Sequence, residues 1–125
     1  MSRWLTYTDK RYIPMTMTLE VREPTYLVLT ALAEGRLHGY GVIQEVERLS
    51  GGKTRLRAGT LYAVLDRLTH EGVIEVAGEE VVEGRLRRYY QLTGGGATAL
   101  AVESRRRVAV SNEALRRLRV AGSFG

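Results

Sequence analysis

Apolar side chains recur along this chain at helical spacing through its first half and alternate in one later stretch. Tyr26, Leu27, Leu29, Leu32 and Ala33 keep a helical period, and Pro24, tolerated in a first turn, marks a start near Glu23. Gly35 stands just past the end, where a left-handed cap is expected. Tyr40, Ile43, Val46 and Leu49 predict a second helix over Gly39 to Leu49, stopped by Ser50-Gly51-Gly52. Leu61, Val64, Leu65 and Leu68 stripe a third helix, about Ala58 to Glu71, closed by Gly72. Val73 to Val76 is β-rich, and Arg85 to Leu92 alternates, with Leu86, Arg88, Tyr90 and Leu92 on one face. The segment between, Gly78 to Gly84, holds Glu79, Glu80, Glu83 and two glycines, which predicts a mobile hairpin tip. Thr93 is a candidate N-cap for a final helix over roughly Gly95 to Val120. On it Leu100, Val108, Ser111, Leu115 and Leu118 approximate a heptad-like seam flanked by arginines.

Helix, helix, helix, hairpin, helix is a mainly α fold with a small β-hairpin (α+β), the plan of a winged helix-turn-helix. In that plan the third helix enters the DNA major groove. The division expected is an N-terminal extension over 1–17, a winged domain over 18–93, and a C-terminal dimerisation helix and tail over 94–125. Residues 1–17 are polar but hold Trp4, Tyr7, Tyr12 and Ile13 without a clean period. Three readings stay open there: a loose extension, an upstream start with Met15 or Met17 as the natural one, or a segment packed on the body or a second subunit. The outer face of the third helix carries Thr60, Tyr62, Asp66, Arg67 and His70. Periodicity alone leaves that face either solvated or set for base edges and phosphates.

Composition narrows the choice. The length of 125 residues, 26% charged and 44% hydrophobic, fits one globular domain. The net charge is +5, from 19 Lys and Arg against 14 Asp and Glu, and its placement says more than its sum. Lys53, Arg55 and Arg57 precede the third helix, Arg85, Arg87 and Arg88 follow it, and six arginines stud the last helix between 105 and 119. The first two clusters suit the salt-sensitive phosphate term of DNA binding. No cysteine is present, which excludes disulfides, a thiolate nucleophile and a Cys-based zinc site. No 18-residue apolar run and no signal-peptide core occur, so a cytoplasmic chain with no membrane partner is expected. His38 and His70 lack metal-ligand spacing, and His38 is expected to bond the backbone at a helix start. Gly94-Gly95-Gly96 lacks the lysine and spacing of a phosphate cradle, and Asp66 with Glu71 reads as surface salt-bridging. Neither a cofactor nor catalysis is expected.

At this point three blocks carry a resemblance: LHGYGVIQEVE (37–47), AGTLYAVLDRLTHEGVIE (58–75) and GRLRRYYQLTGGG (84–96). In sequence, order and spacing they resemble the PadR family of bacterial transcriptional regulators, in its smaller subgroup with a single C-terminal helix. The resemblance implies a homodimer on a pseudo-palindromic operator in double-stranded DNA, a repressor released by a small aromatic effector. It also implies DNA contacts at Tyr40, Thr60, Tyr62, Arg67, Arg85, Arg87 and Arg88. Dimerisation would fall to Leu100, Val108, Leu115 and Leu118. The chain departs from the family at Ala63 and Arg36, where prolines are common, and in a final helix without tryptophan. Trp4, with Tyr7, is the candidate to replace that aromatic in an effector site. A winged-helix adaptor that assembles proteins without reading DNA is the alternative function. The two arginine clusters beside the third helix discriminate against it.

Overall fold

The computed structural model describes residues 22–120 of the protein. Trp4, Tyr7 and the expected extension over 1–17 lie outside the described residues. Helix α1 (Glu23–Ala31) opens with Pro24 in its first turn and buries Thr25, Leu27, Val28, Leu29 and Ala31. It runs on as a 3-10 turn, Leu32–Glu34. The left-handed cap expected at Gly35 does not form. Gly35 instead takes φ 152° and ψ 177°, a conformation open to glycine, and sends the chain straight into a short strand. That strand, β1 (Leu37–His38), makes the sheet three-stranded rather than a bare hairpin.

Helix α2 (Gly39–Leu49) is capped by His38, whose Nδ1 accepts the Gly41 amide at 2.9 Å. The loop after it turns on left-handed Gly51 and Gly52 and is tied back by the Thr54 amide donating to Ser50 Oγ at 2.9 Å. Helix α3 (Ala58–His70) drives Leu61, Leu65 and Leu68 into the core, each fully buried. At its end the Val73 amide reaches back to Leu68 O (3.1 Å) across left-handed Gly72.

Strands β2 (Ile74–Val82) and β3 (Arg85–Leu92) pair antiparallel, and β1 adds to the other side of β3. Most of the expected mobile tip is therefore strand. A bulge between Val76 and Gly78 restores register, and Glu79↔Arg88 and Glu80↔Arg87 then pair opposite charges across the ladder. The turn shrinks to Glu83 and Gly84, both at positive φ.

Thr93 caps helix α4 (Gly94–Val120): its Oγ1 accepts the Gly96 amide at 3.0 Å and donates to Gly72 O at 2.7 Å. Gly96 lies so close to the Val73 carbonyl that no Cβ fits, which brings the helix start flush against the winged body. Ala99 and Glu103 are buried and Leu100 packs on the core of its own chain. Leu100, expected in a dimer seam, is thus half-buried against its own chain. Past Arg107 the helix leaves the body, and Val108, Val110, Leu115 and Leu118 stand exposed.

Candidate nucleic-acid interface

The N-terminus of α3 is open. No side chain caps it, its first turn holds no acidic residue, and Gly59 leaves free space beside the backbone. The Leu61 amide is the first to find a carbonyl, that of Arg57, so the amides before it point outward as donors for an anion. Arg57 sits at the N-cap position, and Lys53 and Arg55 lie exposed in the loop leading to it. Arg55 is 3.3 Å from Glu47, a solvent-exposed pair that a phosphate can displace.

One turn into α3, Tyr62 leans across to the start of α2. Its ring packs on Gly39 so closely that a Cβ there would come within 2.9 Å of the Tyr62 Cζ. The glycine between His38 and Tyr40 is what lets α2 and α3 meet at this point. Tyr62 and Tyr40, 46% and 65% exposed, then form one wall of a groove of about 420 Å³. The opposite wall is the hairpin, through Arg85, Leu86, Arg87 and Arg88. The fold thus gathers Tyr40, Tyr62, Arg85, Arg87 and Arg88 in one cleft. Thr60 lies exposed in the first turn of α3 but does not line it.

The charges in this cleft are unequal. Arg88 donates to Glu79 at 2.9 Å, whereas Arg85 and Arg87 make no ion pair among the described residues. Tyr89 donates to Glu80, the residue that faces Arg87 in the ladder. On its other side the Tyr89 ring stacks on His38 (centroids 5.5 Å apart, 19° between planes), and the Arg36 guanidinium lies 4.7 Å from its centroid. Burial, and then the Arg87 charge, hold the His38 pKa below its usual value against the opposing pull of Glu80. The neutral imidazole keeps Nδ1 free to cap α2. His38 does cap a helix as its position suggested; its stack with Tyr89 was invisible in sequence, because β1 is too short to leave a periodic signal.

Arg67 stands apart. Five residues beyond Tyr62 it points about 140° around the helix. Its guanidinium donates to Thr25 Oγ1 at 2.9 Å and lies 3.5 Å from Glu71. Of the face shared by Leu86, Arg88, Tyr90 and Leu92, Tyr90 is buried at 4% exposure, but Leu86, near the hairpin turn, is 59% exposed. Among the described residues no group of His, Cys, Asp or Glu could hold a metal ion, and no helix is long and apolar enough to cross a membrane.

Comparison with known proteins matches this architecture. The model of the transcriptional regulator PadR-like family fits residues 28–102. Transcriptional regulator Rv3488 of Mycobacterium tuberculosis is 35% identical over 88 residues, 70% of this chain and 78% of that protein. Bacillus subtilis PadR, solved in complex with operator DNA, aligns with a TM-score of 0.57 and 26% identity. That alignment covers 64% of this chain and 46% of the B. subtilis chain, so this chain spans less than half of that relative's length. A PadR family transcription regulator from Clostridium difficile aligns with a TM-score of 0.65 at 20% identity, over 78% of this chain and 99% of its own. With more than half of its length inside the family model, this chain belongs to the PadR-like family of transcriptional regulators.

Proposed function

We propose that the chain binds double-stranded DNA as a homodimer, reading sequence with α3 in the major groove while the β2–β3 hairpin grips the neighbouring backbone. The carrying observation is the cleft that sets Tyr40 and Tyr62 opposite Arg85 and Arg87, beside the uncapped start of α3. Phosphates are held by unpaired guanidinia, tyrosine hydroxyls and outward amides, which is the chemistry on display there. Thr60, in the open first turn, is placed to meet a base edge, and Lys53, Arg55 and Arg57 extend the positive rim. The homodimer is supported by the exposed Val108, Leu115 and Leu118 on α4 beyond Arg107, an apolar row that a second copy covers. Action as a repressor, relieved by a small aromatic effector bound near Trp4 and Tyr7, extends the family resemblance.

The test is titration of the full chain into labelled random duplex and into the DNA upstream of its own gene, at low and high salt. The proposal expects binding to both at low salt, steep weakening with salt and a preference for the upstream DNA. An adaptor that does not read DNA would show no salt-sensitive binding to either.

A further inference from the structure

The first turn of α1 is a junction at which both DNA-reading and dimer-forming helices are fastened. From α4, Arg107 donates to Glu23 at 2.8 Å and lays its guanidinium 3.8 Å over the Tyr26 ring, while the Tyr26 hydroxyl bonds Ser104 Oγ at 2.7 Å. Arg107 is itself held by Glu103 at 2.8 Å, a carboxylate only 4% exposed that Arg106 also grips at 2.7 Å. From α3, Arg67 donates to Thr25, one residue from Tyr26 and itself buried. Arg107 lies immediately before Val108, where the exposed apolar row of α4 begins. It thus ties the helix to its own body just before that row.

We propose that Arg107 and Arg67 are positioning residues that fix the angle between α4 and α3, and so set the gap between half-sites that the dimer accepts. The proposal rests on the DNA-reading homodimer above. Geometry shows why small slack matters. The part of α4 beyond Arg107, Val108 to Val120, is about 20 Å long at 1.5 Å per residue. A tilt of about 10° at its root moves the far end by roughly 3 Å, close to the 3.4 Å separating neighbouring bases along a strand. Locking α4 at Glu23 and Tyr26 therefore distinguishes half-site gaps that differ by one base pair. Arg67, on the flank of α3 turned toward α1 and bonded there, acts through helix placement rather than on a base edge.

The experiment is selection from a random duplex pool by the full chain, with half-site motif and gap read by sequencing. The unmutated protein should enrich one motif at one gap. Arg107→Ala and Arg67→Ala should enrich the same motif with gaps spread by at least one base pair. Should Arg107→Ala lose its dimer in sedimentation, Glu23→Gln combined with Tyr26→Leu releases the same tie while leaving the Glu103 cluster whole, and should give the same spread. A single unmutated gap retained by Arg107→Ala, or by the double variant where that one replaces it, overturns the proposal. A changed base inside the motif selected by Arg67→Ala overturns its part for Arg67. If the unmutated chain enriches no motif, the DNA-reading proposal falls, and this one with it.

Discussion

Leu115→Asp should dissolve the proposed dimer without unfolding the chain. A Leu or Val moved from exposure to full burial contributes about 1.5–3 kcal/mol. Val108, Leu115 and Leu118 are 57%, 39% and 42% exposed, so each has about 1 kcal/mol still to gain. Across a two-fold axis these three positions give roughly 6 kcal/mol of gross interaction, and a micromolar dimer, about −8 kcal/mol net of an association cost of about 4 kcal/mol or more, draws the rest from other contacts between the copies. The substitution removes two leucines and brings two carboxylates toward the axis, each costing about 2 kcal/mol or more if buried unpaired. The dissociation constant should rise about 1,000-fold or more. Arg119, four residues on, can pair with the new Asp on the helix surface and favours the monomer further. Sedimentation velocity at micromolar concentration should show a dimer for the unmutated protein and a monomer for the variant, with unchanged helical circular dichroism. A variant that still sediments as a dimer, or an unmutated chain that is monomeric, refutes the reasoning.

Arg87→Ala should weaken binding to any duplex alike and lower the slope of log affinity against log salt by about one per subunit, measured by anisotropy titration. Gly39→Ala forces a methyl into the Tyr62 ring and should cost tenfold or more in DNA affinity, about 1.4 kcal/mol, with the melting temperature nearly unmoved; an unchanged affinity would show that Tyr62 is not needed where it lies. The Arg106 hydrogen bond, and then Arg107, hold the Glu103 pKa down to about 2 from an ordinary 4.5, against the opposing effect of burial. The stabilisation is therefore fully present above pH 4.5 and is lost as pH falls toward about 2. Glu103→Gln should cost about 1–3 kcal/mol at neutral pH, discounted because Arg106 is 58% exposed, and should flatten the loss of stability on acidification, as urea melts across that range would record.

The helices were legible because each buries one stripe at a fixed period. Leu61, Leu65 and Leu68 on α3, and the Thr93 cap on α4, could be read locally. β1 could not, since two residues have no period and the strand exists only because Leu37 and His38 meet Tyr90 and Tyr89. The outer half of β2 looked like a loop because Gly78, Glu79 and Glu80 carry low strand propensity. Cross-strand bonds from β3, Arg88 to Glu79 and Tyr89 to Glu80, outweigh that propensity. Within the site, Tyr40, Tyr62 and the hairpin arginines come together in the cleft. Arg67 looked equivalent to them on the helix surface. Its partner Thr25 is distant in sequence, and only the packing of α1 against α3 brings the two together.

The cleft between α2, α3 and the hairpin is the surface proposed to hold DNA. Hydrogen–deuterium exchange of the full chain with and without duplex tests it most directly. The amides of Ala58, Gly59 and Thr60 lack intrahelical partners and should exchange fast in the free protein. On DNA, exchange should slow there and at the Glu83–Gly84 turn, with no change around Glu103 to Arg107, where α4 meets its own body. Protection at the α1–α4 contact, with Ala58 to Thr60 and the hairpin turn unaffected, would contradict the account.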